Sequence, residues 1–336
     1  MSKIIIIIPN PSLKNIFVRN FEKTGFEVVD FFCEEFRKYP YPIQDKIINI
    51  WRRIFFKDYG YYNLLEKKFT NKELEKRMQL IEGEFDFAFL MRADRFSLIF
   101  IKELRKKAKK IISYQSDGMA VCGDLLPNVA LFDKIYVFDP SDLQQYKSLN
   151  FLPLTNCWFD DDTDESRVET DIFYVGVGVP ERLRLADKIK EYCTNSHIRL
   201  RAVLTIPAHY PEKEEEGVFL SHLGLSYEEN ILEVKKSKAV LDFKLPYHNG
   251  LSFRFFEAMK YKKKLITNNS SVQYYDFYHP DNIFITDFEN LDGLKEFLEK
   301  PYHEIDENIV QKYGFKNWTH YVLDLPPYQK IDLPKT

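Results

Sequence analysis

The chain has no Cys-x-x-Cys pair, no apolar run long enough to cross a membrane, and no large excess of charge of either sign. Its four cysteines, Cys33, Cys122, Cys157 and Cys193, lie far apart. That spacing argues against a zinc site or a disulfide framework and for buried free thiols in a reducing compartment. The opening MSKIIIIIPNP is too short for a signal-peptide core and lacks a small-residue cleavage site. No stretch approaches the ~18 consecutive apolar residues of a membrane span, so the expected location is the cytoplasm. A net charge of -3 excludes the strongly basic balance of a nucleic-acid binder. Aromatic side chains are abundant: 29 Phe and 21 Tyr suit a Phe-rich core and surfaces that cover apolar partners.

With 336 residues the chain is long enough for two domains of ~150 residues each. KIIIIIP reads as a parallel strand buried on both faces. A helix over 13–24 and a strand at FEVVDFF follow, then helical patterns over 41–56 and 70–81. FDFAFLM, KKIISYQ and KIYVFD are strands, with a helix over 96–108. After the acidic stretch around 160 the alternation restarts. DIFYVGVG, IRLRAVL, AVLDFKL, KKLITNN and NIFIT are strands, and helices cover 181–193, 227–236, 251–262 and 289–299. Strands alternating with helices imply βαβ units and parallel sheets. The expected architecture is α/β, with two Rossmann-like domains facing each other across a cleft. Residues 1–158 would form the first and 168–300 the second. Residues 301–336 would add a C-terminal helix and a proline-rich tail that packs back on the first domain or is a disordered end.

One stretch, YHNGLSFRFFEAMKYKKKLITNN (247–269), does not read as ordinary core. On a helical wheel Phe255, Ala258 and Met259 share a stripe that should pack on the sheet. Arg254, Glu257 and Tyr261 form a neighbouring polar stripe. Gly250 removes a side chain where the chain enters the helix, so the N–H groups of Leu251 and Ser252 are expected to face a phosphate. Arg254 could add charge-assisted bonds to a diphosphate. Glu257, almost a turn deeper, could accept both hydroxyls of a ribose. A Gly-capped helix with an exposed Arg–Glu pair is the bland alternative.

The segment LPYHNGLSFRFFEAMKYKKKLITNN resembles the donor-site signature of GT-B glycosyltransferases, especially bacterial enzymes that build lipopolysaccharide and capsule. DIFYVGVGVPERLRLADKI resembles the opening of the same domain, and the likeness covers roughly 170–290. It implies a nucleotide-diphosphate sugar donor and a saccharide or lipid-linked acceptor; the sequence offers no credible ligand cluster, so no metal and no cofactor are expected. Many retaining enzymes of that fold carry two glutamates eight positions apart; here Asn249 stands where the first would fall, which weighs against their mechanism. A sugar-nucleotide epimerase of the same fold and a non-catalytic two-lobed binding protein are the alternatives.

Other candidates are weaker. Gly176 and Gly178 form a lone Gly-x-Gly at a strand end, with Arg182 beyond it as a phosphate ligand; a plain turn explains them equally. His248 and Asn249 could touch the donor sugar. Asp117 and Asp94 end first-domain strands, and either carboxylate could serve as the base that deprotonates an acceptor hydroxyl. Asp117 follows the better strand. The acidic run Asp160, Asp161, Asp162, Asp164 and Glu165 lacks the glycine and spacing of a calcium loop and reads as a solvated linker. IQDKIINIWRRIFFKDYGYYNLL (43–65) mixes aromatic, aliphatic and basic residues. It could make peripheral contact with an anionic inner membrane surface, or pack in the core behind a basic outer face.

Overall fold

The five isoleucines Ile4–Ile8 are all buried, and successive ones point into different cores. Ile4, Ile6 and Ile8 pack with Phe17 and Phe21 on one face, Ile5 and Ile7 with Leu74, Met78 and Phe100 on the other. A strand alternates its side chains, so a strand covered on both faces needs an unbroken apolar run. The computed structural model describes residues 1–32, 39–161, 163 and 166–334. Cys33, Asp162, Asp164 and Glu165 lie outside the described residues.

The first layer runs β1 (Lys3–Ile7), α1 (Pro11–Lys23), β2 (Glu27–Asp30), α2 (Ile43–Phe56), α3 (Tyr61–Leu80), β3 (Phe85–Met91), α4 (Leu98–Arg105), β4 (Ala108–Gln115), β5 (Lys134–Val137), α5 (Pro140–Gln145) and β6 (Leu152–Pro153). Its strands are parallel, in the order β2-β1-β3-β4-β5-β6. The second runs β7 (Thr170–Val177), α6 (Pro180–Ser196), β8 (Leu200–Thr205), β9 (Lys213–Glu215), β10 (Val218–Ser221), α7 (Tyr227–Lys235), β11 (Ser237–Asp242), α8 (Phe253–Lys260), β12 (Lys264–Thr267), β13 (Ile283–Ile285) and α9 (Leu294–Glu299). Its order is β13-β12-β11-β7-β8-β10-β9, parallel except for β9. Two short helices follow, α10 (Glu307–Lys312) and α11 (Phe315–Leu323). Each sheet changes direction beside its first strand, where a doubly wound sheet opens a crevice at its carboxyl edge.

Helix α11 returns to the first layer. Trp318 packs against Phe17, Phe89 and Tyr114, and its indole N–H donates to the Thr155 carbonyl at 2.9 Å. The Tyr136 hydroxyl donates to the Tyr321 and Val322 carbonyls. Of the proline-rich tail, Ile331 and Leu333 are buried, so its described part is a strap. Cys122, Cys157 and Cys193 are free and buried. Burial pushes the Cys122 and Cys193 thiols up to about 12, which keeps them protonated and unreactive.

Several elements depart from the sequence pattern. The β9–β10 hairpin falls where no element was expected, since its first strand is three exposed charged residues. Helix α3 starts at Tyr61 rather than near residue 70. No residue of α2 is buried, so the core-packing alternative for 43–65 does not hold for this helix. Asp161 corrects the solvated-linker reading. Its side chain is only 5% exposed and meets Lys235 Nζ at 3.0 Å and Lys260 Nζ at 3.2 Å. It also accepts from the Tyr261 hydroxyl and the Thr163 amide.

Candidate active site

A cleft of about 450 Å³ is lined by the carboxyl ends of strands from both sheets. Beyond β1 come Asn10, Ser12 and Leu13; beyond β4, Ser116 and Asp117; beyond β5, Phe138. The facing wall has Val175 and Gly176 from β7, Asp242 from β11, and Ser252, Phe253, Arg254 and Glu257 from α8 and its cap. The crevice therefore sits over both switch points, where open α/β sheets bind ligands.

Helix α8 begins at Phe253, two residues later than the wheel suggests, with Phe255, Phe256, Ala258 and Met259 buried. Ser252 caps it without a side-chain bond to its amides, because the hydroxyl donates to Asp242 Oδ1 at 2.7 Å. The first helical amides, those of Phe253 and Arg254, therefore receive no side-chain cap. The Leu251 side chain is in the core, and its carbonyl accepts from Asn156 Nδ2 at 2.8 Å.

Glu257 is 2% exposed yet borders the cleft. Among the described residues the one hydrogen bond to its carboxylate is a long 3.4 Å contact from Asn230 Nδ2. Burial, only partly opposed by Arg254, raises its carboxyl to about 7. Such a carboxylate is short of donors, the state in which a pair of ligand hydroxyls would be most useful. Arg254 is pinned from several sides. One nitrogen donates to the Val175 carbonyl and another lies 3.4 Å from Asp242, while its guanidinium stacks 5.0 Å over the Tyr174 ring.

Four polar atoms of cleft residues are buried without a partner: Arg182 Nε, Arg254 Nε, His248 Nδ1 and the Tyr227 hydroxyl. A buried polar atom without a partner costs free energy unless water or a ligand meets it, so these four are available to a polar occupant. Burial also lowers the His248 pKa, so its ring is neutral at pH 7.

Gly250 has a reason that the local sequence does not show. A Cβ there would lie 2.2 Å from Cδ2 of Phe138, on the opposite layer. Asn249 N donates across the same gap to Asp139 Oδ2 at 2.7 Å. Glycine thus lets the two walls meet at the base of the cleft. Gly250→Ala is expected to destabilise the chain by ~1–3 kcal/mol, as overpacking does. An unchanged thermal midpoint with unchanged ligand affinity would mean the Phe138 ring yields freely.

Of the residues expected at the site, Asp117, Gly176, Arg182, His248, Gly250, Ser252, Arg254 and Glu257 border the cleft. Asp94 does not. Both its oxygens are held at 2.8 Å in the fork of Arg92, which also pairs with Asp117. Gly178 turns away too: its amide donates to the Thr205 carbonyl, and Ile206 packs where a side chain would be. Asn249 spends its side chain on Lys244 Nζ at 2.7 Å and its carbonyl on Asn269 and Ser271. Asn10, Asn156, Asn230, Asp242, Lys244 and Asn269 border the cleft and were not anticipated. Asn10, which caps α1 after a strand and before a proline, had a local signal; the others have none. Among the described residues no three His, Cys, Asp or Glu side chains are grouped as metal ligands.

No family model and no curated protein matches the chain. Solved structures do match along nearly its whole length. An α-glucosyltransferase in complex with UDP and a 13-mer DNA containing a HMU base superposes with a TM-score of 0.53. It is 12% identical, over 96% of this chain and 95% of that one. UDP-GlcNAc 2-epimerase from Methanocaldococcus jannaschii gives a TM-score of 0.50 at 12% identity, over 94% of this chain and 96% of that one. At such identities the likeness is one of fold, and the fold is GT-B: two Rossmann-like layers facing across a cleft.

Proposed function

We propose that the chain is a glycosyltransferase that holds a nucleotide-diphosphate sugar in this cleft and passes the sugar to a hydroxyl of a saccharide or lipid-linked acceptor. Uridine diphosphate sugars are the first donors to try, given the ligand of the glucosyltransferase with the same fold. Residues 168–300 would carry the donor, residues 1–158 the acceptor, and 301–336 would pack back on the first domain. The observation that carries the reading is Glu257, a buried, donor-starved carboxylate in a cleft that also holds two arginines with unpartnered Nε atoms. The resemblance of 245–269 to lipopolysaccharide and capsule enzymes supports an acceptor of the cell-surface polysaccharide class.

The ribose hydroxyls would donate to Glu257. The diphosphate would lie against the Phe253 and Arg254 amides and Arg182, which neutralise charge on the leaving group as its bond to the sugar breaks. Asp117 would take the proton of the acceptor hydroxyl while that oxygen bonds to the anomeric carbon. Arg92 holds Asp117 in place through an ion pair, and still has Asp94 if Asp117 is removed.

Asp117→Asn is therefore expected to lower turnover by roughly 10²–10⁴-fold and leave donor affinity within about twofold. Nucleoside diphosphate release with and without a glycolipid acceptor, alongside donor calorimetry, measures both. Wild-type turnover in the variant would remove Asp117 as the base. Interconversion of sugar nucleotides without release would favour an epimerase.

A further inference from the structure

We infer that α2 docks the protein onto an anionic lipid surface. The helix is amphipathic but mounted inside out. Ile43, Ile47, Ile50, Trp51, Ile54 and Phe55 recur at helical spacing on one face, and that face points to solvent. Ile43 is 73% exposed, Ile47 61%, Ile54 68% and Phe55 67%. The polar stripe Asp45, Asn49 and Arg52 faces the protein instead. Asp45 accepts from the hydroxyls of Tyr39 and Tyr61. Arg52 pairs with Asp58 at 2.7 Å and lies over the Tyr61 ring. Asn49 Oδ1 is buried.

Anchoring a helix by its polar side while leaving six large apolar side chains in water is unfavourable unless something covers them. Charge selects the occupant. Lys46, Arg53 and Lys57 border the apolar face, and none has a carboxylate partner among the described residues. A second copy docking face to face would oppose these cations to one another. A bilayer rich in anionic headgroups would pair them while the isoleucines and aromatics enter the acyl boundary. The chain as a whole carries -3, so the local cations also orient it. Membrane docking is read without nucleotide, and its failure is separable from failure of the donor-site reading.

The test is sedimentation of the full chain with phosphatidylglycerol–phosphatidylcholine vesicles and with pure phosphatidylcholine vesicles. Trp158 and Trp318 are buried, so a blue shift on binding reports Trp51. Wild type is expected to bind the anionic vesicles, with a blue shift, and to release them as salt rises. Ile47→Glu/Ile54→Glu and Arg53→Glu/Lys57→Glu should each weaken binding by about tenfold or more, with unchanged thermal midpoints and UDP affinity. Wild type remaining in the supernatant, or both variants binding as tightly as wild type, overturns the inference. So does a concentration-dependent dimer that Ile47→Glu/Ile54→Glu dissolves without any vesicle binding.

Discussion

Glu257→Gln is expected to weaken donor binding by roughly ten- to hundredfold, since a hydrogen bond to a charged group contributes ~1.5–3 kcal/mol. The same change should stabilise the empty protein. An ordinary glutamate titrates near 4.5, while burial holds Glu257 at about 7. Because the folded state binds this proton more tightly, stability falls as pH rises from about 4.5 to 7. Above that the ionised group costs the fold on the order of 3 kcal/mol. Glutamine has no charge to bury and can still accept from Asn230. Binding has the opposite slope: a ribose needs the ionised carboxylate, so donor affinity should rise with pH up to about 7 and then level. A sugar nucleotide is the right probe, having no terminal phosphate that titrates there. Arg254, Lys260 and Asn230 face the carboxylate; burial lowers the Lys260 amine and, in the same cleft, the His248 ring below their ordinary values. Calorimetry from pH 5.5 to 8.5, with a melting curve at each pH, measures both limbs. A mutant that binds as wild type, with the same pH profile, would remove Glu257 from the site.

Asp161→Ala should be the most destabilising single change in the connection between the two layers, by ~3–5 kcal/mol. Against the upward push of burial, hydrogen bonds from Thr163, Tyr261 and Lys235 and the charge of Lys260 hold this carboxyl far below its ordinary range. Burial pushes Lys260 down even with Asp161 beside it, so without the carboxylate that lysine would lose its proton or seek solvent. The chain that enters the second layer would then come loose from α7 and α8. Asp161's folded pKa is depressed, so its contribution is complete above the usual carboxylate pKa of about 4 and fades as pH falls below it. Urea titrations at pH 7 and pH 3 should show a wide gap between wild type and Asp161→Ala at the first pH and a smaller one at the second, where the loss has begun but most of the contribution remains. Equal stabilities at pH 7 would mean the cluster contributes little.

Local periodicity carried the architecture. Five adjacent isoleucines specify a strand covered on both faces, and the apolar stripe of α8 places Glu257 beside the cleft without reference to anything distant. Three features lie beyond that reach. Gly250 is small because of Phe138, which comes from the other layer. Asp94 and Asp117 both follow strands, but Arg92 adopts a left-handed conformation at φ 60° that folds its guanidinium around Asp94 and leaves Asp117 at the cleft. Asp161 sits in a charge run that looks solvated until Lys235 and Lys260 are brought over it. The pattern of α2 likewise shows two faces but not which of them meets water; a wheel is the same whichever way the helix is mounted.

The crystal structure of the full chain soaked with UDP tests the central claim most directly. The ribose hydroxyl oxygens are predicted to lie within about 2.6–3.2 Å of the Glu257 carboxylate, with the diphosphate against the Phe253 and Arg254 amides and Arg182. Nucleotide bound elsewhere, or an empty cleft at saturating UDP and UDP-sugars, would contradict the account.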